Sequence, residues 1–486
     1  MLKIKLIGAL TSKPFAFSAR SWELESLDFI DFYDTMLSNI SIDVRGLKIM
    51  RILPRINERI NEEWISDKIR FSYDGFRQQR ILSPTLRIGD ILEELDWEEA
   101  LFNYYLNYNI YNYDYINNNF LSVLGNFIDL ESMFAFNQYI ISNLFSSYKL
   151  YNGNGGLSDN SFVKKFLIND NINELSKIDF FFIIGSNLRY SHPILHIKIL
   201  RLSNSKVPVF TFGSYSKVKF KAYSFGYSIN NLLKFIEGKS KYSLLLNKSK
   251  NSLFLYGDEF IRRSDSYFFQ NKLINILKNY FKHIGNLISN NSYLNALVLG
   301  LKLENFNHNN FLNNKNFILN YNFDDIDYYS ISNNLKDYIV YLGHHADFGV
   351  YKADLVLPST FLIEKKGSFF SLEGNFVNFN FLLKPGYNIR TDWRIFKSLN
   401  LYFNNISNNI NFLNFKDLRL LLNNILPKNL EINGLNIDIK IKDLRLYNSP
   451  FISVYNNFYM TDQVTRNSRI MAISLFKFEE SFYNFK

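Results

Sequence analysis

The sequence predicts an α/β protein in which a small β-rich N-terminal domain precedes Rossmann-like α/β layers. Two kinds of strand pattern support this fold class. Residues 41–45 and 48–53 alternate on either side of Gly46 and predict a β-hairpin. Residues 179–184 and 353–357 are apolar on both faces, which is typical of central strands in a parallel sheet.

The composition provides apolar material for more than one core. The chain has 486 residues, of which 47% are hydrophobic, with 48 phenylalanines and 32 tyrosines. The formal net charge is +10, but the lysines and arginines are scattered and the aromatic residues fall inside apolar runs. Nucleic-acid binding is therefore not favoured, and the basic surplus suits docking to acidic neighbours.

The chain contains no cysteine. This excludes disulfides, zinc ribbons and cysteine-ligated iron–sulfur clusters within it. No apolar run approaches the roughly 20 residues that span a bilayer, and the first residues resemble neither a signal peptide nor a transit peptide. The frequent Phe, Ile, Asn, Lys and Tyr suit an AT-rich organellar genome, which would make import unnecessary.

A tract dominated by asparagine and tyrosine follows the β-rich domain. Residues 98–120 have the composition of a disordered segment. Their tyrosines and isoleucines nevertheless favour an ordered helix that leads into residues 121–148. Residues 152–156 are rich in glycine and asparagine and predict a loop.

The rest of the chain is predicted to alternate strands and helices. The strands at residues 179–184 and 207–212 flank a turn at Gly185 and a helix from about Pro193. In nucleotide-binding proteins such a unit seats a phosphate on free helix amides. The further predicted elements are a helix at 232–238 ended by glycine, strands at 253–257 and 297–300, surface insertions at 303–335, and a helix at 392–402.

Two imidazoles and a carboxylate follow the predicted strand at residues 337–341, namely His344, His345 and Asp347. Neighbouring side chains of an extended chain point in opposite directions, so the two histidines are not expected to chelate one metal. No cysteine is present to complete a metal site. A structural role is favoured, and no catalytic, cofactor-binding or metal-binding residue is predicted.

The same stretch carries a family resemblance. Residues 343–374, GHHADFGVYKADLVLPSTFLIEKKGSFFSLEG, resemble the C-terminal region of the large iron–sulfur (75 kDa) subunit of respiratory complex I. That family has a Gly-His-His-Gly-Asp loop, an Ala-Asp-Leu-Ile-Leu-Pro strand and a Glu-Lys…Asn-Thr-Glu-Gly segment. Ala346 replaces the loop glycine, and Ser-Leu replaces Asn-Thr. Residues 8–80 and the closing FYMTD at 458–462 resemble the same family.

The resemblance implies a fold of the molybdopterin-oxidoreductase type without its cofactor. Residues 185–187 and 191–193 match the Gly-x-Asn…His-Pro pattern of that type. Phe212-Gly-Ser214 stands where Asp-Pro-Arg grips the nucleotide end of the cofactor. We therefore expect this chain to bind no cofactor.

The resemblance also implies a division into domains. Residues 1–90 form the β-rich domain that resembles the cluster-holding domain of molybdenum oxidoreductases, with its cluster lost. Residues 91–410 form the molybdopterin-oxidoreductase-like α/β region. Residues 411–486 form a C-terminal segment that packs back on that region.

A departure from the family lies at the N-terminus. The family has a cluster-ligating cysteine just before the match to residues 8–13, whereas Lys5-Leu-Ile stands here. We therefore expect a split subunit, in which a partner chain carries the N-terminal ferredoxin-like half with its iron–sulfur clusters. Residues 8–13 would lie beside the nearest of those clusters.

The function that the resemblance implies is a non-catalytic scaffold in the peripheral arm of mitochondrial complex I, on the matrix side of the inner membrane. The chain would support the electron path from NADH to ubiquinone in a proton-translocating enzyme and would contact other subunits of that arm.

Two alternatives compete with this interpretation. A molybdenum-dependent oxidoreductase would need a Cys, Ser or Asp side chain as a metal ligand, and it would need the Asp-Pro-Arg grip. The chain contains no cysteine to serve as that ligand. A stand-alone mitochondrial binding protein derived from the subunit would sediment apart from complex I.

Overall fold

A computed structural model gives the fold of the chain. It describes residues 12–112, 119–142, 148–152, 172–204, 207–214, 218–239, 243–261, 263, 281, 283–301, 304–305, 316–323, 337–403, 412–426, 451 and 457–483. Within these ranges, no helix combines the length and the apolar character that crossing a bilayer requires.

The strands of the described residues are numbered in chain order. They are β1 (Glu25–Ile30), β2 (Asn39–Arg45), β3 (Lys48–Pro54), β4 (Thr85–Ile88), β5 (Ile91–Glu94), β6 (Asn119–Leu124), β7 (Tyr148–Asn152), β8 (Phe180–Ile184), β9 (Val209–Phe212), β10 (Ala222–Ser224), β11 (Ser252–Gly257), β12 (His283–Leu287), β13 (Glu304–Asn305), β14 (Asn316–Tyr321), β15 (Tyr338–Gly343), β16 (Leu355–Pro358), β17 (Gly367–Phe370) and β18 (Phe376–Phe379).

The α-helices are numbered in the same way. They are α1 (Asp67–Phe71), α2 (Trp97–Asn112), α3 (Leu130–Ser142), α4 (Leu188–Ser191), α5 (Pro193–Asn204), α6 (Ile229–Ile236), α7 (Ser243–Lys248), α8 (Asp258–Ile261), α9 (Asn291–Val298), α10 (Phe348–Lys352), α11 (Asp392–Tyr402), α12 (Phe415–Ile425), α13 (Gln463–Arg466) and α14 (Arg469–Tyr483).

The strands form four sheets, which makes the protein a mixed α/β fold as predicted. β1, β2 and β3 form an antiparallel sheet, and β17 pairs with β18 in another. The five-stranded sheet has the order β10-β9-β8-β11-β12 and is parallel throughout. The eight-stranded sheet has the order β13-β7-β6-β14-β15-β16-β4-β5 and is parallel from β13 to β16. The antiparallel hairpin β4–β5 forms one edge of it.

The central strands are buried on both faces because core side chains cover each side of the sheet. In the eight-stranded sheet, Leu319 and Val340 face the larger core, to which α2, α3, α9 and α11 contribute. Their neighbours Ile318 and Ile339 face the opposite side, in a second cluster. This alternation is the period-2 geometry of a strand, with apolar residues at every position.

Several predicted elements are confirmed. β2 and β3 form the antiparallel hairpin, and Gly46 has the positive φ of 60° that its turn requires. The predicted helix at residues 392–402 is α11. The helix predicted at residues 232–238 is α6, and Gly238 follows it with a φ of 75°.

In the asparagine- and tyrosine-rich tract, α2 runs to Asn112, and the next described residues, Asn119 and Phe120, begin strand β6. Residues 121–148, into which the predicted helix was expected to lead, contain two elements. Residues 121–124 belong to strand β6, and helix α3 covers Leu130–Ser142. β6 lies between β7 and β14 in the sheet. A short apolar run such as the one in β6 does not by its pattern distinguish a buried strand from a buried helix. The loop predicted at residues 152–156 lies, after Asn152, outside the described residues.

Two further predictions are wrong. Residues 297–300 are not a strand, because they include the end of helix α9, whose residues are buried all round. Residues 303–335 are not wholly surface insertions, because β14 lies between β6 and β15 in the eight-stranded sheet. Residues 306–315 and 324–336 lie outside the described part of the chain.

Candidate functional site

The predicted histidine loop is buried. It follows β15, and both His344 and His345 are almost inaccessible to solvent. Their Nδ1 atoms lie 2.5 Å apart, so the prediction that the rings point in opposite directions is wrong. The chain bends at His344 instead of continuing extended, which brings the two rings together.

The hydrogen bonds of the loop assign one tautomer to each ring. His345 Nε2 donates to the carbonyl oxygen of Gly75 at 3.0 Å, so its Nδ1 is the acceptor for the Nδ1–H of His344. His344 Nε2 then has no partner among the described residues. Burial lowers the pKa of both imidazoles well below its usual value, and the nearby Arg80 charge lowers it further. Both rings are therefore neutral at pH 7.

Asp347 does not join the histidines. Its Oδ2 accepts from Arg466 Nε at 2.6 Å, which ties the loop to helix α13. Across the described residues, no three His, Asp or Glu side chains are grouped so that they could hold a metal ion. The structural role of the histidine loop stays a prediction. The buried contacts of His344 and His345 and the ion pair of Asp347 with Arg466 favour it.

A second buried cluster is centred on Lys365. Its Nζ contacts Asp129 Oδ1 at 2.6 Å and also pairs with Asp392 Oδ2. All three side chains are almost fully buried. Asp129 also accepts hydrogen bonds from the backbone N–H and hydroxyl of Ser132, in the first turn of α3. Lys365 thus joins the N-terminal ends of α3 and α11, where carboxylates are favoured by the helix dipole.

Glu131, two residues after Asp129, forms an ion pair with Arg419. Arg419 Nε donates to Glu131 Oε1 at 2.9 Å, and the backbone N–H of Ser368 donates to Oε2 at 2.8 Å. Burial raises the pKa of Glu131, and the charge of Asp129 adds to the effect. Burial also raises the pKa of Asp392, whereas Lys365 opposes that shift. The carboxylates of Asp392 and Glu131 contact the cations of Lys365 and Arg419. These contacts join α3, α11 and α12 to the segment that contains Lys365.

A third cluster lies at the carboxyl edge of the five-stranded sheet, where a nucleotide-binding fold would bind a phosphate. Here the backbone N–H of Ser214 donates to Glu259 Oε2 at 3.0 Å, and the Ser214 hydroxyl also pairs with this carboxylate. Gly185 and Gly213 have φ values of +60° and +132°. A Cβ on Gly185 would lie 2.8 Å from the backbone nitrogen of Phe260. The chain's own carboxylate and backbone therefore fill the space at this edge.

His192 also lies at this edge, beside Ile288, the residue that follows β12. Its Nε2 is 3.0 Å from the carbonyl oxygen of Ile288 and 3.1 Å from the hydroxyl oxygen of Thr35. Burial lowers its pKa. The histidine of the His-Pro pattern thus joins the carboxyl edge of the five-stranded sheet to the loop between β1 and β2.

Three family patterns match the chain. "Molybdopterin oxidoreductase" matches residues 80–401. "NADH-ubiquinone oxidoreductase NDSU1/NuoG-like, 4Fe-4S domain" matches residues 24–74. The pattern for the C-terminal region of the G subunit of NADH-ubiquinone oxidoreductase matches residues 441–473.

Curated relatives match nearly all of the chain. It is 32% identical to the NADH-ubiquinone oxidoreductase 75 kDa subunit of Reclinomonas americana, over 96% of this chain and 70% of the relative. It is 34% identical to the 75 kDa subunit of Acanthamoeba castellanii, over 99% of this chain and 70% of the relative. The chain belongs to the NADH-ubiquinone oxidoreductase 75 kDa subunit family. A bacterial relative, the G subunit of the NADH-quinone oxidoreductase of Rickettsia felis, is 30% identical over 97% of this chain and 69% of its own length.

Membership of this family corrects one prediction. The match of residues 24–74 to a 4Fe-4S domain contradicts the expectation that this chain binds no cofactor and that the clusters lie in a partner chain. Thiolates are the usual ligands of such clusters, yet the sequence contains no cysteine. The described residues also offer no cluster of three His, Asp or Glu side chains. The residues present do not fit a cysteine-ligated cluster, so no electron-transfer step is derived through one.

The histidine loop was identified as a candidate site from the sequence, whereas the Lys365 cluster was not. The Glu-Lys pair at residues 364–365 was visible as part of the family resemblance, but nothing local indicated that Lys365 is buried. Its partners Asp129 and Asp392 come from distant parts of the chain, and each begins a helix. An acidic residue at the start of a predicted helix was the one available signal. The prediction for residues 8–13 lies largely outside the described residues, which begin at Ser12.

Proposed function

We propose that the chain is a subunit of the peripheral arm of mitochondrial NADH-ubiquinone oxidoreductase, on the matrix side of the inner membrane. It supports the electron path from NADH to ubiquinone and performs no redox step with its own side chains. The observation that carries this proposal is the likeness to 75 kDa subunits, which extends over 96% and 99% of the chain. Other subunits of the arm are its proposed partners.

The geometry of the three clusters supports a scaffold role. The imidazoles of His344 and His345 are buried against each other, and Lys365 is enclosed by carboxylates. Glu259 is bonded to a loop of its own chain. Groups that are buried and paired in this way position helices and loops. We interpret the two parallel sheets as the Rossmann-like layers of a molybdopterin-type fold.

Immunodepletion tests the proposal. Antibodies against this chain should remove NADH:ubiquinone reductase activity from detergent-solubilised mitochondrial membranes. Succinate dehydrogenase activity should stay in the supernatant and serves as the control. If the chain is quantitatively removed and both activities stay, the proposal is wrong.

A second candidate, a molybdenum-dependent oxidoreductase, is favoured by the family match to residues 80–401. It conflicts with the edge of the five-stranded sheet, where Glu259 occupies the amide of Ser214. Elemental analysis of the purified chain separates the two candidates. We expect no stoichiometric molybdenum, and one molybdenum atom per chain would favour the oxidoreductase.

A further inference from the structure

A basic cleft opens between α11 and the start of α12. Its volume is about 820 Å³. On the α11 side, Trp393, Arg394, Lys397 and Leu401 recur at helical spacing and form one face of the helix. The opposite face of α11 carries Ile395, Phe396 and Leu399 into the core. The cleft is therefore built on an anchored helix.

Four cations line this cleft, and two of them keep their charge exposed to solvent. Arg390 packs over the ring of Trp97 at 4.5 Å, and Lys397 Nζ donates to the carbonyl oxygen of Leu413 at 2.9 Å. Arg394 lies over the ring of Trp393 at 5.3 Å. Arg394 and Lys416 are nevertheless exposed, and neither takes part in an ion pair within the described residues. Exposed cations of one sign create a positive potential that attracts acidic partners.

The acidic residue nearest to the α12 end of the cleft does not neutralise it by an ion pair. Asp417 Oδ2 accepts from the backbone N–H groups of Leu413 and Asn414, both at 3.2 Å. This carboxylate is thus engaged in capping α12. The N–H groups of Leu413 and Asn414, just before α12, are consequently occupied by the chain itself.

The rim of the cleft is apolar and exposed. Leu401 is 60% exposed and Leu413 is 77% exposed, while Trp393 lies buried beneath them and Phe415 is half-buried. Large apolar side chains that stand next to exposed cations at one cleft are typical of a protein interaction site. Burial of the leucine side chains would contribute binding free energy. The cations would orient the partner and raise the rate of association.

These features distinguish a polypeptide from a phosphate-bearing ligand. A phosphate site uses free backbone amides at a helix start and converging donors. Here the Asp417 carboxylate stands in the first turn of α12 and accepts from the N–H groups of Leu413 and Asn414, and the exposed cations are long surface side chains. Exposed leucines would gain nothing from a phosphate. Carboxylates on a segment that also carries apolar side chains complement both parts of the cleft.

We propose that this cleft docks an acidic segment of a neighbouring polypeptide, with at least one apolar side chain seated against Leu401 and Leu413. The carboxylates of that segment pair with Arg394 and Lys416. The inference rests on the proposed function only in taking the neighbour to be a subunit of the same assembly.

Binding of a labelled peptide tests the docking surface on the purified full chain. The probe is a helix-forming peptide with Glu and Leu on one face, and the matched probe has Gln in place of every Glu. We expect the acidic probe to bind and the Gln probe to bind about tenfold more weakly or worse. We also expect the affinity of the acidic probe to fall as salt increases.

Charge reversal localises that binding. In the variant Arg394→Glu with Lys416→Glu, the affinity for the acidic probe should fall about tenfold or more. The matched variant Lys248→Glu with Lys250→Glu makes the same change of charge on exposed lysines elsewhere and should bind like the unmodified chain. Unchanged thermal unfolding of both variants shows that they are folded.

Three results would overturn the docking surface. The first is equal loss of affinity in both charge-reversal variants, because binding would then follow net charge alone. The second is equal binding of the Glu and Gln probes. The third is binding of inorganic phosphate that depends on Arg394 and Lys416 while the acidic peptide does not bind, which would assign the cleft to a phosphate ligand.

Carbodiimide cross-linking of the intact assembly tests the choice of partner. This reagent joins a lysine amine to a carboxylate in direct contact. We expect Lys416 or Lys397 to be joined to an Asp or Glu of another subunit. The Arg394→Glu, Lys416→Glu variant should assemble poorly, and replacing that Asp or Glu of the partner with Lys should restore its assembly. Cross-links from these lysines only within the chain would overturn the choice of partner. If the chain binds the peptide but is absent from the assembly, the proposed function fails and the docking surface stands.

Discussion

At the scale of single residues, the chain buries charged groups and satisfies them with one another. Lys365 is enclosed by Asp129 and Asp392, and burying any one of these charges alone would be very costly. Burial lowers the pKa of Lys365, but the two carboxylates outweigh it and the net shift is upward. The lysine is therefore charged at pH 7.

Removing that lysine should destabilise the fold strongly. Lys365→Met leaves two carboxylates buried without their cation, which should cost about 3–5 kcal/mol. Thermal unfolding measures the effect as a lowered midpoint. Lys366→Met is the matched control, because Lys366 is exposed and should give a midpoint close to that of the unmodified chain. Equal midpoints for the two variants would contradict the account.

The pH dependence of stability should contain a contribution from Asp34. Burial raises its pKa to about 8, and the nearby charge of Asp31 adds to the shift. The folded chain binds this proton more tightly than the unfolded chain, whose carboxyl has a pKa near 3.8. The stabilising contribution is therefore complete below pH 3.8 and is lost as the pH rises through about 8.

Asp34→Asn removes this titration. Between about pH 5 and about pH 8, the unfolding midpoint of the variant should fall less than that of the unmodified chain. Asp28→Asn serves as the control, since Asp28 is an exposed partner of Arg55, and its curve should follow that of the unmodified chain. Parallel curves for all three proteins would exclude Asp34 as the group responsible.

At the scale of elements, strong local patterns were predicted well and short apolar runs were not. The hairpin β2–β3 has alternation and a turn glycine, and α11 has helical spacing. β14 has an apolar core of three residues between asparagines, which in sequence looks like an insertion. Its position in the sheet depends on pairing with β6 and β15, and such long-range pairing leaves no local signal.

The central position of β14 predicts a large effect of truncation. Leu319→Ala removes a fully buried side chain from the main core and should cost about 2–5 kcal/mol. The unfolding midpoint again measures it. Leu420→Ala on α12 is the control, because Leu420 is largely exposed and should change the midpoint little. A small effect at Leu319 would show that β14 is peripheral.

The candidate sites were predictable only in part for a related reason. The adjacent His344 and His345 were visible in the sequence, but the bend that brings their rings together was not. Glu259 carried no motif, although it bonds to Ser214 at the sheet edge. Phe212-Gly-Ser214 stands in the sequence where the family type has Asp-Pro-Arg. Only the fold shows that Glu259 bonds to this segment.

At the scale of the whole molecule, long-range contacts tie the sheets to one another. Val464 of α13 lies in the same apolar cluster as Ile40 of β2 and Phe361, which follows β16. Arg466 of the same helix pairs with Asp347 in the histidine loop. The buried ion pairs hold elements of the fold together, whereas the exposed cations of the basic cleft are available to a neighbouring chain.

The central claim is that this chain works inside the NADH-oxidising assembly. Separation of detergent-solubilised mitochondrial membranes on a native gel, with mass spectrometry of each band, tests it most directly. The account predicts that peptides of this chain occur in the band that stains for NADH oxidation, in the same amount as other subunits of the peripheral arm. Peptides found only at the position of a free protein would contradict it.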